Sequence, residues 1–432
     1  MHVAERGYLL IVLAAILAIV AIWSADPAVS FLWGWPLLLL LGGIAIEGAL
    51  MRRAQPTLEV TPPDILLLGR DAAVDFSIQN PARRFLQLQY APVLPAQLAL
   101  SMPTGVMRLA PAAANRGQLR VTAVRLGAAR LPAWRARLLG RFSLAWWDTE
   151  LATSSQIEVV PDSPALAGSR TSAWIGGGRS LPVAGAGFEL LQLRPYRSGD
   201  PLGRIDWKSS ARSNALVSRE YSEDRHLEVV IALDAGRLSR LRAGHLDRYG
   251  LYTNVAARFA ERLSLAGDRV GLVVFADVPL IEVAPTMGYA AVRRLRDAMA
   301  SISAQPVESD PFAAAAVIRR QLRRRSLVVM LSDFGDSSGA EGMLAAQRLL
   351  TPPHLMLVGA LQDEATLSAA NGAARHWLDP WRALAAREQI ERMQLQAQQM
   401  TQRGAAVVLA SERQLGDALM LRFGQLRRQR RI

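Results

Sequence analysis

The stretch RPYRSGDPLGRIDWKSSAR, Arg194 to Arg212, puts acids, bases, glycine, proline and a tryptophan into one short run. It holds Lys208, the only lysine of the chain; every other basic side chain is arginine. A lysine kept among arginines suggests a compact ammonium where a planar guanidinium would not fit. Three kinds of chemistry are open to it: a catalytic amine, a contact with a partner protein, or an ion network that docks the segment on its neighbours. Asp200 and Asp206 can each accept from an arginine fork, and Arg194, Arg204 and Arg212 are near in sequence. Gly199-Asp200-Pro201 is a turn signal. Trp207 offers an apolar anchor with one N–H to satisfy. No nucleophile or cofactor pocket accompanies Lys208, so the ion network is the favoured reading and an enzyme using Lys208 the least favoured.

The rest of the chain limits the alternatives. At 432 residues it is long enough for two or three domains. Cysteine is absent, which removes disulfides, cysteine nucleophiles, thiolate zinc sites and iron–sulfur clusters together. The five histidines are scattered, with no H-x-x-x-H pair. The formal net charge of +13 suits either an Ala/Arg compositional bias or attraction to an anionic membrane surface. No basic strand interleaved with aromatics appears, so nucleic acid is not expected as a partner.

Two elements near the start are apolar enough to span a membrane: Gly7 to Trp23, and Phe31 to Ile46 followed by Glu47 and a further apolar turn. Between them SADPAVS reads as a tight turn, with Trp23, Trp33 and Trp35 clustered there as an interfacial belt would be. A cleaved signal peptide is the competing reading of the first segment. The second segment follows at once and no clean small-x-small site precedes it, which favours a hairpin over residues 1–53. Arg6 precedes the first segment, Arg52 and Arg53 follow the second, and the loop has no basic residue. The positive-inside rule then places both ends, and the bulk of the chain, in the cytoplasm.

Over 54–162 short runs with partial period-2 alternation (LEVTP, ILLLG, AAVDFSIQN, LQLQYAPV, QLRVTAVRL, SQIEVVPD) predict a small β-sandwich-like domain, a spacer or interaction module. Trp146 and Trp147 read as packing residues. The GGGR run that follows is no phosphate loop, since no G-K-[ST] comes after it. From 226 to 432 apolar strands alternate with helices, which predicts a doubly wound α/β, Rossmann-like sheet. Ligands in such sheets bind beyond the carboxyl ends of the strands, where Asp234 and Asp333 fall. Trp381 to Gln402 reads as a solvated helix, and LRRQRRI as a basic tail, either a frayed helix end or a lipid contact.

The run GFELLQLRPYRSGDPLGRIDWKSSARSNALVSREYSED resembles the signature of the domain of unknown function 58 family. Glu189, Leu193, Arg194, Tyr196, Gly199, Asp200, Arg204, Ile205, Asp206, Trp207, Lys208, Ala211 and Arg212 match it; Phe188 precedes Glu189 where the family has it after. The resemblance makes 163–225 a connector leading into a von Willebrand factor A-like domain. It implies a non-enzymatic protein of the bacterial inner membrane that works with a MoxR-type AAA+ ATPase in the assembly or chaperone-like maturation of other proteins. A-like domains carry a D-x-S-x-S metal site at the strand ends. Here Asp234 is kept, but Gly236 and Leu238 stand where the serines belong. Ser309 and Asp310 fall where a threonine loop would, and Asp333 matches the third loop. The degenerate set leaves Mg²⁺ as an alternative to no cofactor, and a divalent-metal-dependent adhesion-type protein as the alternative function. Arg237 beside the site is the residue expected to replace the cation's charge.

Overall fold

The computed structural model describes residues 1–23, 31–53, 55–100, 104–140, 142–163, 184–222, 226–335 and 337–429. The turn expected at 24–30 and the glycine-rich run at 176–179 lie outside the described residues. The chain divides into two units, Met1–Val160 and Pro161–Ile432.

The first unit opens with two helices long and apolar enough to cross a membrane, α1 (Glu5–Trp23) and α2 (Gly34–Arg53). Most of their large apolar side chains are exposed, from Tyr8 through Trp23 and from Phe31 through Leu50. Behind them stand two sheets. One orders His2–Val3, Ala145–Leu151, Trp134–Leu139, Leu86–Ala91 and Gly105–Leu109; the other orders Thr57–Thr61, Asp71–Gln79, Ala114–Ala123 and Leu98–Leu100. Alternating residues of the two meet in an aromatic core, where Phe76 stands edge-on to Trp134 at 5.0 Å and Tyr90 stacks on Trp134 at 5.8 Å. A third, three-stranded sheet, Ile65–Leu67, Gln156–Val160 and Gly127–Arg130, completes the β body.

Glu47 fastens the helices to this body. It interrupts the apolar run of α2, yet it is only 1% exposed. Its Oε1 accepts from Phe142 N at 3.1 Å and its Oε2 from Leu144 N at 3.3 Å. Leu144 in turn lies against Gly7 and Gly43, where any Cβ would overlap it, and the Trp147 ring fills the space that a side chain at position 48 would need. Glu47→Ala strands two backbone donors, each costing about 1–3 kcal/mol where it stays dry. Hydrogen exchange across Ala145–Leu151 is expected to accelerate in that variant, while the strand Asp71–Gln79 keeps its protection.

The second unit is built on a six-stranded sheet ordered Pro279–Thr286, Arg269–Phe275, Glu228–Asp234, Leu327–Leu331, Leu355–Leu361 and Ala406–Ala410. The first of these is antiparallel and the other five are parallel. The parallel strands are apolar almost throughout because helices cover both faces. The helices are α3 (Trp207–Ser213), α4 (Arg248–Leu265), α5 (Tyr289–Ala300), α6 (Pro311–Gln321), α7 (Ser337–Leu350), α8 (Glu364–Asn371), α9 (Asp379–Gln402) and α10 (Leu415–Arg428). Val230, Ala232, Val328, Met330, Met356 and Val358 face α6, α7 and α9. The opposite face meets α4, α5 and α10, with Phe259 edge-on to Phe423 at 5.3 Å.

Two expectations change here. α9 is exposed along most of its length, but one stripe of it is not: Met393 and Met400, two turns apart, enter the core. The basic tail is helical to Arg428, and Arg427 Nη1 binds the fully buried Asp268 at 2.9 Å. Its last residues, 430–432, lie outside the described residues.

Candidate functional site: the signature face and the strand-end cluster

The signature run is carried by a two-stranded antiparallel sheet, Ala184–Pro195 with Val217–Ser222, and by the short helix α3. Gly199 turns the chain at φ 105°, a conformation that glycine adopts without strain. Arg194 grips Asp200 with both fork nitrogens, at 2.8 and 2.7 Å, and reaches Glu220 through Nε at 3.2 Å. Asp206 caps α3 by accepting from Ser209 N at 3.0 Å and accepts from Arg219 Nε at 3.0 Å.

The acids are therefore satisfied from within. Arg194 first, then the Arg197 N–H, holds the Asp200 carboxyl below the usual carboxylate range. The Ser209 N–H and then Arg219 do the same for Asp206. The Gln192 amide and then Arg194 lower Glu220. Folded pKa values below the unfolded ones mean that this network's stability is complete above the ordinary carboxylate range and is lost as pH falls through it. On acidification, hydrogen exchange corrected for intrinsic rates is expected to show residues 194–212 losing protection before the strand Leu327–Leu331 does.

The expected partners were half right. Arg194 takes Asp200, but Arg219, not Arg204 or Arg212, takes Asp206. Arg219 and Glu220 sit on the strand after the motif, and their adjacency to it across the hairpin was the available signal. Tyr196 is half-buried, its N–H donating to Leu216 O at 2.9 Å. Glu189 lies in the first strand, and its side chain lies outside the described residues.

Trp207 is no internal anchor: it is 66% exposed, and Leu202 is 70% exposed. Lys208 is exposed beside them. Among the described residues the side chains of Lys208, Arg204 and Arg212 form no hydrogen bond or ion pair. Trp207 and Leu202 are thus exposed near cations that Asp200, Asp206 and Glu220 do not engage. A separate cavity of about 330 Å³ is lined by Leu193, Pro195, Ser209, Ser213 and Leu216, among others.

The second cluster lies at the carboxyl ends of the parallel strands. Asp234 Oδ1 accepts from Gly236 N at 2.8 Å and from Ser309 Oγ; its Oδ2 accepts from Ser332 Oγ at 2.6 Å. Ser309 is delivered by a stitched segment, in which Gln305 N donates to Ala235 O and Arg237 N to Val307 O. Burial raises the Asp234 carboxyl pKa, against the pull of these donors. Asp333 receives Arg248 Nη1 at 2.9 Å and the Tyr252 hydroxyl at 3.0 Å; that hydroxyl accepts from Leu361 N at 3.1 Å. Burial works against the Arg248 charge, but Asp333 outweighs it and holds the guanidinium pKa above its ordinary value. Burial pushes the Tyr252 hydroxyl far up, so it keeps its proton. A cavity of about 140 Å³ lined by Leu241, Arg248, Asp333, Gln389 and Met393, among others, opens beside the pair.

Arg237, expected to stand in for a cation, pairs instead with Glu308 at the surface, at 2.7 Å. Arg248 is the arginine that meets a strand-end acid, Asp333. Its signal was positional: Arg248 and Tyr252 lie four residues apart, on one face of the helix that follows the first parallel strand. Asp234 and Ser309 do meet, as the strand-end reading requires. Asp310 does another job, capping α6 by accepting from Phe312 N and Ala313 N.

These residues do not make the oxygen set that Mg²⁺ takes. A side chain at 236 would overlap Ser309 Oγ, so the position that needs a ligating serine is held at glycine. Asp333 is already bound to a guanidinium. Among the described residues no group of three or more His, Cys, Asp or Glu is placed to hold a metal ion.

The molecule is thus a mixed α/β protein with two N-terminal helices long enough to cross a membrane and a strand-end acid cluster neutralised by its own arginine, tyrosine and serines. Residues 192–370 match the family described as protein of unknown function DUF58. Uncharacterized proteins of Mycobacterium bovis and Mycobacterium tuberculosis are 27% identical over 154 residues, 35% of this chain and 49% of each relative. The chain spans about half the length of these curated relatives. Among solved structures, the conserved hypothetical protein BatB from Bacteroides thetaiotaomicron is 18% identical with a TM-score of 0.29, covering 45% of this chain and 97% of that one. Native alpha-2-macroglobulin from Escherichia coli is 18% identical with a TM-score of 0.22, covering 24% of this chain and 16% of that one. At these scores neither bears on the fold.

Proposed function

We propose that this is a membrane-anchored, non-enzymatic adaptor that binds other proteins through the signature face. α1 and α2 cross the inner membrane as a hairpin, and the arginines at its ends keep the rest of the chain in the cytoplasm. The α/β unit is read as a degenerate von Willebrand A-like domain, in which Arg248 occupies the electrostatic place of a cation.

One observation carries the reading. Trp207 and Leu202 stand exposed beside Lys208, Arg204 and Arg212, while Asp200, Asp206 and Glu220 are consumed internally. Exposed tryptophan with basic neighbours has the make-up of an interface hot spot for an acidic surface. An enzyme reading finds less support. Lys208 is solvent-facing, with none of the burial that activates a lysine. The partner's class, a MoxR-type AAA+ ATPase, rests on the family resemblance. Binding of that ATPase to the detergent-solubilised full chain is expected to fall on Trp207→Ala. Unchanged binding would remove the signature face from the interaction.

A further inference from the structure

The β body of the first unit is fastened to the two apolar helices at a height that a bilayer reaches. From Gly7 to Trp23, α1 rises about 24 Å, and from Gly34 to Glu47, α2 rises about 20 Å. The hydrocarbon layer is about 30 Å thick. Yet Gly7 already touches Leu144 of the β body, and Glu47 already binds the Phe142 and Leu144 amides. Helix tilt would shorten both reaches further. Helices spanning from their Trp23 and Phe31 ends therefore meet the body before the hydrocarbon ends.

The residues at that junction suit the position. Phe142 is 47% exposed beside the Glu47 clamp. One turn further along α2, Arg84 Nη2 donates to Leu50 O at 2.8 Å, and its neighbour Phe85 is 54% exposed. Arg108 lies over the Phe85 ring at 4.8 Å. Aromatic rings with arginines alongside are what the boundary between acyl chains and headgroups selects. They continue the exposed apolar surface of α2, through Ile46 and Leu50.

We infer that the β body is seated in the bilayer interface, with Phe142 entering the acyl boundary, Phe85 lying shallower, and Arg84 and Arg108 level with lipid phosphates. The inference rests on the reading that α1 and α2 span the membrane. The occupant of this face is lipid, because the face is continuous with the helices' own apolar surface.

The chain has no cysteine, so single spin labels can be placed without background. Phe142→Cys, Phe85→Cys, Ile16→Cys on α1 and Arg120→Cys on the four-stranded sheet would be labelled in the full chain and reconstituted in phosphatidylglycerol-containing nanodiscs. The ratio of oxygen to water-soluble nickel-chelate accessibility is expected to be several-fold higher at 142 than at 120, intermediate at 85 and highest at 16. A water-like ratio at both 142 and 85 with a lipid-like ratio at 16 would overturn the seating and leave the span standing. A water-like ratio at 16 would overturn the span itself, and the seating with it. Each variant is first matched to wild type by unfolding midpoint, and two independent probe sites cover a failure of either to fold.

Discussion

Arg248→Met is expected to destabilise the α/β unit by about 3–5 kcal/mol, the usual cost of removing one partner from a buried ion pair. The Arg248 and Asp333 side chains are 10% and 3% exposed, so solvent cannot replace the lost charge. Methionine keeps most of the arginine's apolar length, which confines the loss to the charge of the ion pair. The Tyr252 hydroxyl would still donate to Asp333, but a neutral hydroxyl does not replace the guanidinium's charge. Adding Asp333→Asn removes the stranded charge and is expected to restore at least half of the loss; the cycle of single and double variants isolates the pair. Because the chain has two units, the readout is residue-resolved hydrogen exchange in the strand Leu327–Leu331. A loss below about 1 kcal/mol, typical of an exposed ion pair, would mean that Asp333 is neutralised some other way.

The second large effect lies at the far end of the same sheet. Asp268 is fully buried, accepts from Leu227 N at 3.1 Å and binds Arg427 Nη1 at 2.9 Å. Arg427→Ala is expected to cost about 3 kcal/mol at neutral pH. Burial already raises the Asp268 carboxyl pKa, with Arg427 working against it, so losing Arg427 raises it further. A folded pKa above the unfolded one favours folding below the ordinary carboxylate range and loses that advantage as pH rises through the folded value. The gap between variant and wild type should therefore be widest near neutrality and shrink toward acid, as urea midpoints at several pH values would show. A gap independent of pH would assign the loss to packing of Arg427 on Phe423, which it overlies at 6.0 Å.

Both sites show what the sequence could and could not reveal. The parallel strands were legible because four of them are buried on both faces and read as nearly unbroken apolar runs. The two N-terminal helices were legible from the length and apolarity of their runs. The run from Arg194 to Arg212 announced itself by fixed residue types at fixed spacings. Partners set by tertiary packing were hidden: Arg248 and Asp333 are far apart in sequence, as are Asp268 and Arg427. Glu47 looked like the end of an apolar segment and is instead its clamp to the β body. Trp207 looked like an anchor for its own fold, since composition alone cannot say which way a ring points. Its exposure turns an interdomain ion network into a network that frees a basic, apolar surface.

That surface is the centre of the account, and its test is a binding measurement. The full chain in nanodiscs is titrated with a MoxR-type ATPase from the same organism, wild type against Trp207→Ala/Lys208→Glu. If Trp207 and Lys208 form a hot spot, the double variant loses about 2 kcal/mol or more, roughly 30-fold in Kd. Its hydrogen exchange over the Arg194–Asp200 turn should stay as in wild type. Equal affinity in the two proteins, with that turn intact, would contradict the claim that this face is where the protein meets its partner.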